Sequence, residues 1–169
     1  MNSEVISTIK KEIINTIIED GEIPYVLDNS EDVQDDPSIL INNNIFRYNY
    51  NPTALKEEKA MLTIQIKLAE NNNPNEDFVR VSVEFWVICH QGLMSPIPKK
   101  DLKSFIKSGD TRTDYLSILL DKKFNGASGL CYSKLRLRNN DEGVLTTNYM
   151  YRYLRFEGKC VNTIRGANL

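Results

Sequence analysis

The sequence predicts an α+β domain, in which an antiparallel β-sheet of about four to five strands is flanked by two main helices. Three patterns predict this class. Isoleucines recur every three or four residues over 5–18, apolar and polar residues alternate over 79–89, and leucines return at helical spacing over 116–124. The predicted element order is α–β–β–β–α–β–β. Because 169 residues is the length of one ordinary domain, residues 1–169 are assigned to a single unit.

The N-terminal helix carries its apolar residues on one stripe: Val5, Ile6, Ile9, Ile13, Ile14, Ile17 and Ile18. An isolated helix of this length is marginal in water, so we expect the stripe to pack on the sheet or on a neighbouring subunit. Residues 20–43 then form an acidic, turn-rich segment that includes Asp35-Asp36-Pro37. Long irregular loops inside compact domains usually bind something, so residues 20–43 are predicted to form a contact loop.

Three strands are predicted in the middle of the chain. Residues 45–50 form a short aromatic strand that ends before Pro52, and residues 62–68 alternate as a half-buried strand. Residues 79–89 have one continuous apolar face, and their other face turns from polar to apolar at Trp86. We expect the two longer strands to pair as a hairpin, with the apolar end of the second strand covered by another element or subunit.

The last third of the chain is predicted to hold the second helix and the final strands. Asp110 or Thr111 caps the start of the helix, and Gly126 marks its end. The remaining predicted segments are two strands, the turn that joins them and a C-terminal tail: 130–138, 146–161, 139–143 and 162–169.

Composition excludes several classes of protein. The chain is 41% hydrophobic with a formal charge of −2, which is too apolar for a disordered protein and lacks an overall positive field for nucleic acid. No apolar run reaches the roughly 18–20 residues that span a bilayer, and residues 1–11 lack the apolar core of a secretory signal. We therefore expect folding in a reducing cytoplasm, with Cys89, Cys131 and Cys160 as reduced core residues.

No residue pattern predicts catalysis, a cofactor or a metal. His90 follows Cys89, but adjacent strand residues point to opposite faces, so the two side chains cannot form a nucleophile pair. The acidic segment lacks the ligand spacing of a calcium loop. Gly126-Ala127-Ser128-Gly129 follows a helix, whereas a phosphate-binding loop precedes one. Since nothing singles out a pair among the 23 acidic residues, the sequence predicts a protein that is not an enzyme.

Charge is distributed unevenly along the chain. Residues 1–59 hold 5 basic and 12 acidic side chains, whereas residues 130–169 hold 7 basic and 3 acidic ones. An acidic front and a basic back suit three arrangements: self-association, docking on an oppositely charged surface, or pairing within the molecule.

Basic and aromatic residues are interleaved near the C-terminus. Tyr149, Tyr151 and Tyr153 recur at a spacing of two and are expected to share one face of the last strand. Two roles fit this pattern, contact with single-stranded nucleic acid and a subunit interface, and we predict the interface because tyrosine and arginine are enriched there. The predicted interface residues are Lys134, Arg136, Arg138, Arg152 and Arg155.

Several short segments, spread from about residue 9 to 160, carry a resemblance to a known group of proteins. They are Asp36-Pro37-Ser38, Ile45-Phe46-Arg47-Tyr48-Asn49-Tyr50-Asn51-Pro52, Lys59-Ala60-Met61-Leu62-Thr63-Ile64, Phe85-Trp86-Val87-Ile88-Cys89-His90, Arg112-Thr113-Asp114 and Tyr151-Arg152-Tyr153-Leu154-Arg155-Phe156. In these segments and in its order of helices and strands, the chain resembles the tail-terminator and neck proteins at the head–tail junction of tailed bacteriophages of Gram-positive hosts.

The resemblance implies an α+β subunit of the virion neck that assembles, in the host cytoplasm, into a hexameric ring. Such a ring caps the tail tube, ends its polymerisation and gives the filled head a docking surface. The implied partners are further copies of the chain, the tail-tube protein and head-completion or connector proteins, and genomic DNA passes through the lumen without sequence-specific binding. No catalytic motif, cofactor or membrane is implied. Two alternatives stay open, a head-completion (stopper or adaptor) protein and a small nucleic-acid-binding module.

Overall fold

The computed structural model describes residues 3–50, 58–68, 78–95 and 111–161. The helices and strands are α1 (Ser3–Ile18), α2 (Ile23–Leu27), α3 (Glu31–Asp35), β1 (Ile45–Phe46), β2 (Ala60–Leu68), β3 (Phe78–His90), α4 (Arg112–Phe124), β4 (Arg136–Thr146) and β5 (Tyr149–Val161), with 3-10 turns at Pro37–Leu40 and Gln91–Leu93. The predicted α+β class and the order of its main elements are confirmed. The predicted turn at 71–75, Pro52, Asp110 and the tail at 162–169 lie outside the described residues.

The five strands form one sheet in the order β1-β2-β3-β5-β4. β2, β3, β5 and β4 pair antiparallel, and the predicted hairpin of β2 with β3 is confirmed. β1 pairs with β2 in parallel, so the sheet is mixed and not purely antiparallel as predicted. The difference arises because the short helices before β1 return the chain to the same end of the sheet from which β2 starts.

The core lies between the helices and one face of the sheet. Every second residue of β3 from Val79 to Cys89 is buried, as the alternation predicts. The predicted isoleucine stripe packs here too, because Ile9, Ile13, Ile14 and Ile17 of α1 are buried. Each fully buried side chain of this kind is worth about 1.5–3 kcal/mol of hydrophobic stabilisation. The stripe is therefore covered within the subunit.

α4 shows how a local sequence signal fixes a helix. The Asp114 backbone N–H donates to Thr111 Oγ1 at 3.2 Å, and the Thr111 N–H donates to Asp114 Oδ2 at 3.2 Å. This capping box makes Thr111 the N-cap. Past the other end, Gly126 has a φ of 86°, a left-handed conformation that favours glycine. The predicted apolar face is confirmed by four buried residues: Leu116, Leu119, Leu120 and Phe124.

The prediction of an irregular loop over residues 20–43 is wrong, because the segment folds into α2, α3 and a 3-10 turn. Its apolar side chains Val26, Val33 and Leu40 are buried in the core and fix these short helices in place. Asp36 Oδ1 accepts the Ser38 N–H at 3.0 Å and so stabilises the 3-10 turn. The contact role of the segment stays a prediction.

The predicted turn at 139–143 is wrong, because these residues lie inside β4 and the chain reverses at 147–148. Two register shifts, between Leu137 and Asn139 and between Val144 and Thr146, absorb the irregular sequence. Turn-forming residues are tolerated here because β4 is an edge strand and residues 138–142 are exposed. Residues 130–135, predicted as strand, are bends and coil.

The predicted first strand is shorter than expected, since only Ile45–Phe46 pairs with the sheet. The Phe46 ring stacks on the Tyr50 ring at 4.2 Å between centroids. Phe46 also joins a second apolar cluster with Met61, Ile88 and Tyr149, on the face of the sheet away from the helices. This cluster covers the apolar end of β3 from within the chain.

The three cysteines behave in two ways. Cys89 is buried and unpaired, as predicted. The prediction of reduced thiols is wrong for Cys131 and Cys160, which form a disulfide with their Cα atoms 4.7 Å apart. The bend that holds Cys131 is tied to β5 two residues later, where the Ser133 N–H donates to the Lys159 carbonyl at 3.1 Å. This long-range contact is not visible in the sequence spacing.

Candidate functional site

A basic hollow of about 730 Å³ lies where the start of β3, the start of β4 and the end of β5 meet. It is lined by Arg80, Ser133, Lys134, Arg136, Arg138, Glu157, Gly158 and Lys159. Five of these side chains are cationic and one is a carboxylate. Charges of one sign around a hollow raise the local concentration of oppositely charged partners.

The register of the sheet brings these cations together. Arg80 of β3 lies directly opposite Lys159 of β5, and Arg136 of β4 lies opposite Glu157. Lys134 is positioned by the bend before β4, where the Leu135 N–H donates to the Ala127 carbonyl at 3.0 Å. Like charges directly opposite each other on neighbouring strands are destabilising, so folding of one subunit does not explain the pair of Arg80 and Lys159.

The single carboxylate of the hollow, that of Glu157, already has ion-pair partners. Glu157 Oε1 accepts a hydrogen bond from Arg155, and its Oε2 lies 3.6 Å from Arg138 Nε. Among the described residues no ion pair joins a carboxylate to the remaining four cations: Arg80, Lys134, Arg136 and Lys159. The described residues that line the hollow therefore carry a net positive charge.

The structure brings four of the five predicted interface residues to one end of the sheet. Lys134, Arg136 and Arg138 line the basic hollow. Arg155 lies beside it, in a smaller hollow of about 240 Å³ that also contacts Glu84 and Glu157. The interface role of these residues stays a prediction, but their proximity is a property of the fold.

Arg152 lies elsewhere, on the face of β5 that packs toward the helices. Its guanidinium donates to Asp114 Oδ1 at 2.8 Å, to Glu142 Oε2 at 2.5 Å and to Asn140 Oδ1 at 2.9 Å. These bonds join α4, β4 and β5 within one subunit. Arg152 lies an odd number of positions from Tyr153 and Arg155. Because side chains alternate along a strand, it points to the opposite face of β5.

Sequence reasoning missed Arg80 and Lys159 as members of the site. Lys159 continues the period-two spacing of Arg155 and Glu157 along β5, which is a signal that could have found it. Arg80 lies between the buried residues Val79 and Val81 of β3, far from the C-terminal cations in sequence. Only the register of β3 against β5 shows that it belongs with them.

An aromatic row lies on the same face of the sheet, next to the basic end. Tyr149, Tyr151 and Tyr153 share this face, as predicted, and pair across to His90, Ile88 and Trp86. The Trp86 ring lies 5.0 Å from the Tyr151 ring and 4.8 Å from the Tyr153 ring. Burial, together with the nearby Glu84 carboxylate, raises the pKa of Tyr153 to about 12. Tyr153 is therefore neutral at physiological pH.

His90 and Cys89 do not face each other. His90 Nδ1 accepts the Gly92 N–H at 3.2 Å and lies 3.5 Å from Glu58 Oε1. The Cys89 thiol lies in the core, where burial raises its pKa to about 11. A protonated, buried thiol is a poor nucleophile. In the ranges that the structure describes, no three His, Cys, Asp or Glu side chains gather in a way that could hold a metal ion.

An acidic patch lies on and just after α3, in the segment that leads into β1. It consists of Glu31, Asp32, Asp35 and Asp36, all exposed. Val33 is buried beneath the patch and fixes α3 against the core. Hydrogen bonds from Ser38 lower the pKa of Asp36, so this carboxylate is ionised at neutral pH.

Among the described residues, no strand pairs with the outer edge of β4. The strand has eleven residues, and its side chains are exposed or half-buried from Arg136 to Thr146. Its first residues are partly covered, since Asn125 Oδ1 accepts the Leu137 N–H at 3.2 Å. Val144 is 65% exposed, although it is apolar. A long exposed edge strand offers backbone groups for pairing with another chain.

The fold and these surfaces define a class: an α+β protein with two charged surfaces of opposite sign and a long exposed edge strand. The chain matches the model of the YomW family over residues 10–157 and belongs to that family. YomW is the name of a protein from the SPbeta phage region of Bacillus, so membership of the family is consistent with a phage-related protein. No curated protein matches the chain. Among the described helices, none has the length and apolar character to cross a membrane.

Proposed function

We propose that this phage-related chain is a structural protein of the virion neck. It forms a ring that caps the tail tube, ends tube polymerisation and gives the head a docking surface. The observation that carries the proposal is β4, an eleven-residue edge strand exposed along nearly its whole length. Monomeric proteins usually shorten or cover such edges, whereas a subunit of an assembly can use them for contact with its neighbours.

Two further observations support a structural role. The basic hollow is lined by five cations and one carboxylate that is already paired, a lining that suits an anionic partner. The thiol of Cys89 is buried and protonated. The Cys89 thiol therefore contributes to packing, and the charged groups of the basic hollow contribute to surface charge.

The test is loss of the gene in the phage that carries it. We expect tails of uncontrolled length and filled heads without tails, and we expect the wild-type gene in trans to restore normal particles. Electron microscopy of lysates measures both. Normal-length tails would contradict the tail-capping role, and normal tails together with heads that lose DNA would instead indicate a head-completion protein.

A second candidate function is favoured by the basic hollow alone. Four cations that pair with no carboxylate among the described residues suit a nucleic-acid-binding module, because phosphate contacts dominate such binding. Binding of the purified protein to single-stranded and duplex oligonucleotides, measured at two salt concentrations, separates this function from the neck role. Strong, salt-sensitive binding by a protein that stays monomeric beside tail tubes would favour the module.

A further inference from the structure

The acidic patch and the basic hollow lie at opposite edges of the sheet. α3 packs on α2 and on the 3-10 turn that leads into β1, at one edge. The basic hollow is built on β4 and its neighbours, at the other edge. β1 and β4 are four strand spacings apart, about 19 Å. This exceeds the screening length of about 8–10 Å in physiological salt, so the two surfaces do not neutralise each other within one subunit.

The two surfaces match in number and sign of charge. The patch presents four exposed carboxylates, and the hollow presents four cations that have no carboxylate partner among the described residues. Both surfaces are held rigidly, the patch by buried Val33 and the hollow by the paired strands. Preformed, complementary charge gives specificity and register to an association.

We infer that the basic hollow receives the acidic patch of a second copy of this chain, so that subunits join head to tail. A contact between two different surfaces of identical subunits is heterologous, and repeating it produces a closed ring when the rotation closes. The inference rests on the proposed function, since it supplies the subunit contact that a neck ring requires. Nucleic acid is the weaker occupant because the acidic half of the same chain repels a polyanion.

Charge reversal tests the inference directly. The hollow variant replaces the four cations Arg80, Lys134, Arg136 and Lys159 by glutamate, and the patch variant replaces Glu31, Asp32, Asp35 and Asp36 by lysine. The ring is measured by mass photometry and electron microscopy, for the full chain alone and with purified tail tubes. We expect each variant alone to lose at least tenfold in association, because each brings like charges together at every contact.

Mixing and combining the variants gives the decisive result. The two variants mixed one to one can form every contact between opposite charges, and so can a chain that carries all eight substitutions. We expect both to restore assembly. The matched control carries Lys11→Glu, Glu12→Lys, Glu19→Lys and Arg47→Glu, which change the same number of exposed charges outside both surfaces and should assemble like the wild type. Circular dichroism checks folding, and glutamine replaces glutamate at the same four positions if the hollow variant unfolds.

The contradicting outcomes are distinct. Assembly of the hollow variant at wild-type affinity would overturn the inference and leave the neck role standing. A hollow variant that assembles normally but no longer binds oligonucleotides would assign the hollow to nucleic acid. Charge-dependent rings from a protein whose loss leaves tails normal would support the inference and overturn the neck role. A wild-type chain that stays monomeric beside tail tubes would overturn both.

Discussion

β3 and β4 are both long strands of one sheet, but their surroundings differ completely. β3 lies in the middle and buries alternate residues, among them Val83 and Phe85, against the helices. β4 lies at the edge, and most of its side chains are exposed on both faces. The sequence of β3 is explained by the folding of one subunit. The length and charge of β4 are not, and the proposed contacts with further copies of the chain would explain them.

The comparison predicts two kinds of mutational effect. Truncation of a side chain on β3 removes buried apolar surface and leaves a cavity, which costs several kcal/mol. Substitution on exposed β4 is expected to change the free energy of unfolding by no more than about 0.5 kcal/mol. Any defect from a β4 substitution should therefore appear in assembly and not in the stability of the subunit.

The largest expected effect is that of Phe85→Ala. Phe85 is fully buried, with ring centroids 5.0 Å from Phe124 and 5.8 Å from Phe156. We expect the free energy of unfolding to fall by about 4 kcal/mol, measured by urea denaturation. Phe78→Ala is the matched control, because Phe78 lies on the same strand but is 36% exposed, and it should cost about 1 kcal/mol or less. Equal losses would break the contrast between buried and exposed positions.

Reduction of the Cys131–Cys160 disulfide should have the next largest effect. The bond closes a loop with a sequence separation of 29 residues, so its loss should cost about 3 kcal/mol, measured as a lower urea midpoint in dithiothreitol. The unfolded, non-reduced chain should show one reactive thiol, that of Cys89. A double variant with serine at 131 and 160 should not respond to dithiothreitol. Three reactive thiols before reduction would contradict the pairing.

Hydrophobic periodicity was sufficient to predict the regions that one subunit buries. α1, β2, β3 and α4 follow from spacings of two and of three to four, because burial repeats with the geometry of each element. It was not sufficient for residues 20–43 and 139–143, where Asn, Asp and Gly favour turns locally. Long-range contacts decide these segments: Val33 and Leu40 anchor one in the core, and pairing with β5 keeps the other extended.

The candidate site was predicted in part, for the same reason. Lys134, Arg136 and Arg138 are close in sequence, so their spacing alone places them together. Arg80 and Lys159 join them only through the register of β3 with β5, which one sequence does not reveal. The disulfide was missed because two cysteines on separate segments give no local signal of their contact.

Asp114→Asn tests the contact that joins α4 to β4 and β5. Asp114 closes the capping box of α4 and accepts a hydrogen bond from Arg152 of β5. We expect a loss of about 1–2 kcal/mol in the free energy of unfolding, because a charge-assisted bond and part of a helix cap are removed. Glu142→Gln removes the other carboxylate on Arg152, but its side chain is 73% exposed, so about 0.5 kcal/mol is expected. A larger loss for Glu142→Gln than for Asp114→Asn would show that the main partner of Arg152 is Glu142 of β4.

Asp20 gives a smaller effect that depends on pH. Burial alone would raise the pKa of this carboxyl, but hydrogen bonds from Lys123 and from the N–H groups of Glu22 and Ile23 outweigh it and lower the pKa. A lowered pKa in the folded state stabilises the protein above the unfolded value of about 3.9, and this stability is lost as the pH falls through the folded value. Below about pH 4, the melting temperature should therefore fall less steeply with falling pH for Asp20→Asn than for the wild type. Parallel pH profiles would show that Asp20 contributes no such linkage.

The smallest effect on stability is expected for Val144→Ala. This variant gives the most direct comparison between exposed β4 and buried β3. Val144 of β4 is 65% exposed, whereas Val83 of β3 is fully buried. The same substitution should cost about 2 kcal/mol at Val83 and less than about 0.5 kcal/mol at Val144. If the edge of β4 is a subunit contact, Val144→Ala should nevertheless weaken ring assembly beside tail tubes, which mass photometry measures. A variant with unchanged melting and unchanged assembly would confine the contact to the charged surfaces and leave the apolar end of β4 without a role in the ring.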